Sequence, residues 1–280
     1  MYRIISESNS VRLFKTNYDD EYRIAQLNKF LNRNSNHWKS RIEKVFEMIS
    51  NLDIHGKKVL DLGTSIGTYA FEFAQRGYEV YAIDLDEKSI DIAKKIANEN
   101  NLKIDYRVAD VSDSTVYPDN YFDLIYAGDI IEHLTDSVLD KAIANCYRML
   151  KRGGYLIFHT TPLRYNRIFY HKRFPFWIIL IPFAIIPDRY FKKLVQKYES
   201  ILNLIRKIIF GNSFKEIDQF SIHCNLQTAD SIRTLIKRNK LFIIRLDINI
   251  MEERFKRGVK FFIFRKKEYF QKDIFGVAKK

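Results

Sequence analysis

Asp129, Glu132 and His133 lie on one short stretch of the chain, and His159 and His223 come later. Carboxylates and imidazoles are the side chains that take a proton from a hydroxyl or amine near neutral pH. On a single helical turn, Asp129, Glu132 and His133 could join His223 in holding a divalent cation, which would lower the pKa of a bound hydroxyl. A second group stands upstream. Gly63, Ser65 and Gly67 follow the run KVLDL (58–62), apolar at Val59, Leu60 and Leu62, and Asp84 ends a second run, EVYAI (79–83). Glycines let a backbone approach a ligand closely, and a helix N-terminus offers free N–H groups. An acid about 20 residues further on can accept both hydroxyls of a ribose. This second group therefore has the chemistry of a nucleoside site.

Such a site needs particular elements to hold it. Residues 58–62 read as a strand covered on both faces, 68–76 as a helix with Tyr69, Ala70 and Phe73 inward, and 79–83 as a second strand. Residues 102–110 give a third strand ending at Asp110. Residues 18–50 read as two helices, with Tyr22, Leu27, Phe30 and Leu31 on one stripe and Trp38, Ile42, Val45, Phe46 and Ile49 on the next. Alternating strands and helices imply a parallel sheet with helices on both faces.

A dinucleotide loop would carry glycines at the first, third and sixth positions, where this chain has Gly63, Ser65 and Thr68. The pattern Asp61-x-Gly63-x-Ser65-x-Gly67 instead resembles motif I of the class I S-adenosylmethionine-dependent methyltransferases. Ser65 replaces the usual middle glycine. The resemblance extends to YFDLIYAGDIIEHL (121–134), to NCYRMLKRGGYLIFHTTP (145–162) and to HCNLQTADSIRTLIKRNKLFIIRLD (223–247). It implies an α/β, Rossmann-like, seven-stranded and mostly parallel sheet with an antiparallel last strand, placed at KFFIFRK (260–266). It implies S-adenosylmethionine as cofactor. Asp61, Gly63, Ser65 and Gly67 would serve the amino-acid end, Asp84 the ribose, Leu85 the adenine face, Asp110 and Val111 the adenine edge, and Asp129 the methionine end. The catalytic candidates are His133, Glu132 and His223. The bland alternatives are that Asp84 to Asp86 only cap a helix and that Asp110 is a turn residue.

The stretch Asp129-Ile-Ile-Glu132-His133, with His223, also resembles the Glu-x-x-Glu-His…His set of metal-assisted O-methyltransferases, among them quinone-biosynthesis and small-RNA enzymes. Asp129 departs from that set by standing where its first glutamate would be. A divalent metal is therefore the less favoured reading, and no metal ligand is assigned.

The chain of 280 residues carries a net charge of +13, unevenly placed. Residues 56–150 hold 17 acids against 10 bases, a balance of −7, so the remainder carries +20. Four regions follow: an N-terminal helical cap (1–55), a cofactor-binding core (56–162), a basic apolar helical insertion (163–222) and a C-terminal part of the core with a basic tail (223–280). The insertion contains an uncharged, proline-broken run at 174–187, too short to span a bilayer, and then an amphipathic helix at 190–209. On that helix Phe191, Leu194, Val195, Tyr198, Leu202, Ile205 and Ile209 share a face. An interfacial membrane contact, a lid over a greasy acceptor and plain packing all fit.

The expected partner is a small-molecule or lipid-linked acceptor, with an anionic membrane surface as a second. Nucleic acid is disfavoured, because no interleaved aromatic platform is present. Cys146 and Cys224 lack metal-type spacing, and the first residues lack an apolar leader, so the expected location is cytoplasmic or peripheral at a membrane. The expected activity is O-methylation. The competing readings are a non-catalytic cofactor-binding protein and a membrane- or RNA-surface module.

Overall fold

The computed structural model describes residues 20–161, 163, 182–183, 185–210, 223, 225–250 and 271–280. Seven strands form one sheet: β1 (Lys58–Leu62), β2 (Glu79–Asp84), β3 (Ile104–Val108), β4 (Phe122–Gly128), β5 (Leu150–Thr160), β6 (Phe242–Ile250) and β7 (Gln271–Lys279). The order is β3-β2-β1-β4-β5-β7-β6. Strands β1 to β5 pair in parallel, while β7 runs antiparallel to both β5 and β6.

The antiparallel strand is the chain's last described segment, not 260–266. Residues 260–266 lie outside the described residues. Ile274, Phe275, Val277 and Ala278 are buried between β5 and β6. KFFIFRK has the denser aromatic pattern, which is why the sequence favours it. QKDIFGVAK nevertheless supplies the side chains that two covered faces need.

Helices cover both faces. Val45, Met48 and Ile49 of α2 (Asn36–Ser50), Ala70 and Phe73 of α3 (Thr68–Gln75), and Ile90, Ala93 and Ala97 of α4 (Glu87–Glu99) share one cluster with Val59, Val80 and Tyr126. On the other face α5 (Asp136–Met149) and α7 (Ala229–Arg238) bury Leu139, Ile143, Ile232 and Ile236 against Leu60, Ile125 and Phe158. The cap helix α1 (Asp20–Leu31) packs Phe30 edge-on against Phe71, with ring centroids 5.1 Å apart. Leu31, expected on the inward stripe, is exposed, because α1 contacts the body through a narrower face.

The insertion helix is α6 (Asp188–Phe210). Phe191 and Val195 are buried as their spacing predicts, but Ile209 is 56% exposed, and Ile201, Leu204 and Ile208 are exposed beside it. Of the uncharged run at 174–187, only 182–183 and 185–187 lie within the described residues.

The strand order reverses between β1 and β4. In open α/β sheets a crevice forms there, beyond the carboxyl ends of the strands.

Candidate active site

The loop after β1 meets the tip of β2 through hydrogen bonds that need no side chain from the loop. The Gly63 and Thr64 amides both donate to the Ile83 carbonyl at 2.9 Å, and the Ser65 amide donates to Asp84 Oδ2 at 2.7 Å. Gly63 and Gly67 have φ of +75° and +84°. A Cβ at Gly67 would strike Tyr106 Oη, and one at Gly63 would strike Ile130. Glycine is thus required twice over, by backbone angle and by space. Ser65 takes a φ of 50°, a left-handed conformation that costs a non-glycine residue energy.

Asp61 is buried. Its Oδ2 accepts from Thr64 Oγ1 at 2.6 Å and from the Ala70 amide at 3.0 Å. It therefore stitches the loop to the first turn of α3. Burial pushes its carboxyl up to about 7, against the hydrogen bonds from Thr64 and Ala70.

Asp84 is buried, and the Asp86 amide donates to its Oδ1 at 2.9 Å. Burial raises its pKa, and hydrogen bonds from the Asp86 and Ser65 amides oppose the rise. The helix cap is a different residue: Asp86 accepts from the Ser89 amide at 3.2 Å. Asp84 thus does not cap the helix; its Oδ2 accepts from the Ser65 amide and its Oδ1 from the Asp86 amide, at the tip of β2. Leu85 beside it is 46% exposed, a free apolar surface at the place expected to meet an adenine. Asp110 closes a turn, its Oδ1 accepting from the Ser112 amide and Oγ at 2.8 Å each. Val111 is buried, and its carbonyl accepts from Asn145 Nδ2 at 3.2 Å. The positive-φ glycines, the carboxylate of Asp84 and the open face of Leu85 fit the outline of an aminoacyl-nucleoside.

The second group divides across the tips of β4 and β5. Asp129 does not share a helical turn with Glu132 and His133. Its φ of 53° turns the chain before the short 3-10 helix Ile131–His133 begins. Its carboxylate faces the cap, with Oδ1 2.5 Å from His159 Nδ1. Burial opposes ionisation of Asp129, yet Arg41 and His159 hold its carboxyl well below the usual range.

Glu132 turns the other way and is buried, with Thr160 Oγ1 donating to its Oε2 at 2.9 Å. Burial, and next the charge of Asp129, push its carboxyl up to about 8. The Asn225 amide donates to the Glu132 carbonyl at 3.0 Å, and this holds the segment with His223 against the turn. The His133 and His223 rings lie 4.8 Å apart between centroids. Glu132, His133 and His223 can each offer a ligand atom, all within 4.8 Å of one another. The three catalytic candidates therefore come together, and their donor set suits a divalent ion. Asp129, at the first position of the resembled metal set, is instead engaged by Arg41 and His159.

Arg41 is a residue of this cluster that sequence reasoning missed. It projects from α2, and its Nη2 lies 2.9 Å from His159 Nδ1. Burial opposes its charge, but Asp129 and then Tyr69 and Tyr126 hold its pKa above the ordinary guanidinium value. Its partners lie 88 and 118 positions away, so no local spacing rule could have found it.

Residues 60–158 match the family model described as "Methyltransferase domain". Two curated relatives are named ubiquinone biosynthesis O-methyltransferase. That of Chromobacterium violaceum is 36% identical over 107 residues, covering 38% of this chain and 45% of that protein. That of Bordetella avium is 31% identical over 120 residues, covering 43% and 48%. The matched part thus spans about half the length of each relative. Among solved structures, a protein of Pyrococcus horikoshii superposes with a TM-score of 0.57 at 18% identity, over 93% of this chain and 98% of that one. A SAM-dependent methyltransferase from Methanosarcina mazei gives 0.53 at 18% identity, over 83% and 96%. The matched core, the seven-stranded order and the glycine loop facing Asp84 agree: residues 60–158 are similar to the methyltransferase domain, and the described chain shares the fold of the solved structures.

Proposed function

We propose that this protein transfers a methyl group from S-adenosylmethionine to an oxygen of a small apolar or lipid-linked acceptor. The observation that carries the reading is the convergence of Glu132, His133 and His223 beside the crevice that the Gly63–Gly67 loop and Asp84 frame. When bound, the cofactor supplies the methyl group together with its own leaving group. What remains for the protein is alignment and proton removal. Asp84 would receive the ribose hydroxyls, Leu85 would lie against the adenine, and Asp110 and Val111 would meet its edge. Arg41 and Asp129 would hold the methionine end. His133, backed by His223, takes the acceptor proton. Glu132, whose carboxyl keeps its proton near neutral pH, orients the pair.

Metal assistance stands second, because Asp129 is already committed to Arg41. The apolar character of the acceptor is supported by α6, whose exposed Ile201, Leu204, Ile208 and Ile209 accompany exposed Lys192, Lys193 and Lys197. No helix among the described residues is long and apolar enough to cross a membrane, so the proposed contact is interfacial.

Calorimetric titration with S-adenosylhomocysteine tests the cofactor site. The expected result is one-site binding that Asp84→Ala weakens at least about tenfold, near 1.4 kcal/mol. Well-folded protein that binds none of it would overturn the proposal.

A further inference from the structure

We propose that Lys29 sets acceptor specificity, selecting acceptors that carry an anionic group, a carboxylate or phosphate, near the hydroxyl to be methylated. The inference rests on the methyltransferase reading above and adds the charge class of its acceptor.

Lys29 stands in the last turn of α1, half-buried, with its Nζ 5.2 Å from the centre of the Trp38 ring on α2. Trp38 in turn lies 5.2 Å from the Arg41 guanidinium. The two cap helices therefore present a cation, an aromatic ring and a second cation in sequence above the tips of β4 and β5. The cations differ in one respect. Arg41 is neutralised by Asp129 at 2.8 Å, whereas Lys29 makes no ion pair among the described residues. It feels the charges of Asp129 and Glu132 without touching either.

Electroneutrality then decides what the site lacks. Arg41 and Asp129 cancel. Among the described residues Lys29 is left without a counter-ion in contact, and the cofactor's sulfonium adds a further positive charge. Burial also lowers the Lys29 pKa, ahead of the opposing pull of Asp129, so the ammonium sits there at a cost. An ammonium withdrawn from water without a counter-anion is unfavourable, and an anionic ligand recovers that energy through a charge-assisted hydrogen bond. Trp38 supplies a flat apolar face on which a ring bearing such a group can lie, with its π-cloud holding the ammonium in place.

The test uses protein loaded with S-adenosylhomocysteine and three ring probes: catechol, 3,4-dihydroxybenzoate and phenyl phosphate. Each is titrated calorimetrically. The unsubstituted protein should bind at least one of the two anionic probes about tenfold more tightly than catechol, and the stronger of the two identifies the group. Lys29→Met should bring the ratio to within about twofold, while Lys29→Arg keeps it. S-adenosylhomocysteine affinity should stay within about threefold in both variants. Equal binding of charged and uncharged probes, or binding of none, overturns the inference. So does a preference that survives Lys29→Met, or a cofactor affinity that falls as far as the probe affinity, which would assign Lys29 to the cofactor. Failure of the unsubstituted protein to bind S-adenosylhomocysteine is a separate result, and it removes the methyltransferase reading itself.

Discussion

Arg41 Nη2 donates to both carboxylate oxygens of Asp129, at 3.0 and 2.8 Å, across 88 positions of sequence. The pair fastens the cap helix α2 to the tip of β4 and sets the direction of Asp129. Three residues on one face of α2 are tethered in this way. Arg41 meets Asp129, Lys44 meets Asp247 at 2.5 Å, and Glu47 meets Arg245 at 2.8 Å. The last two pairs are more exposed and contribute little each, so the Arg41 contact should dominate.

Arg41→Ala leaves Asp129 and His159 without their cation. A loss of about 3 kcal/mol in urea-unfolding stability is expected, the order found when one partner of a largely buried pair is removed. Asp129→Asn added to the same protein should recover part of it. Additive losses in that double-mutant cycle would show that the two side chains are not coupled.

Glu132 and Asp61 give stability a characteristic pH dependence. Both carboxyls are raised in the folded state, to about 8 and about 7, so the fold holds protons that the unfolded chain releases. Stability from these groups is full below their ordinary values near 4 and falls as pH rises, flattening above about 8. Thermal melts should therefore weaken from pH 5 to pH 8. Glu132→Gln should flatten the slope by on the order of 1 kcal/mol per pH unit. An unchanged slope would mean that Glu132 ionises normally.

Ser65 holds a φ of 50° while its Oγ is buried without a hydrogen-bond partner among the described residues. Ser65→Gly relieves both penalties. A gain of about 1 kcal/mol is expected, contrary to the usual cost of introducing glycine. A fall in melting temperature would show that the serine hydroxyl stabilises the loop.

Chelation separates the two chemistries open to Glu132, His133 and His223. Turnover of a responsive acceptor should stay within about twofold after EDTA treatment, because proton transfer by histidine needs no ion. Loss of activity restored by a divalent cation would assign the cluster to a metal.

The helix α6 should carry the protein onto anionic vesicles. Flotation with phosphatidylglycerol vesicles is expected at low salt and should weaken at high salt. Leu204→Glu with Ile208→Glu should abolish it. Equal flotation with neutral vesicles, or none with anionic ones, would count against a basic interfacial helix.

The amino-acid sequence by itself determined the parts of the fold and site that depend on neighbours in the chain. The glycine loop, the strands on either side of it and the acid at the tip of β2 form one supersecondary unit. Short-range spacing and burial pattern specify such a unit, so Gly63, Gly67 and Asp84 were legible. The cap helices were legible for the same reason, since their stripes follow a period of about 3.6 residues. Tertiary structure alone decided three matters. It placed the antiparallel strand at Gln271–Lys279, because that segment is buried only once β5 and β6 flank it. It turned Asp129 away from Glu132, because a single left-handed residue interrupts what reads as one helical turn. It brought Arg41 and Lys29 above the strand tips, because the counter-charges that give them meaning lie on another element. Periodicity and motif spacing carry information over a few residues. Electrostatic partnership is set by distance in space, and only the folded chain brings those groups together.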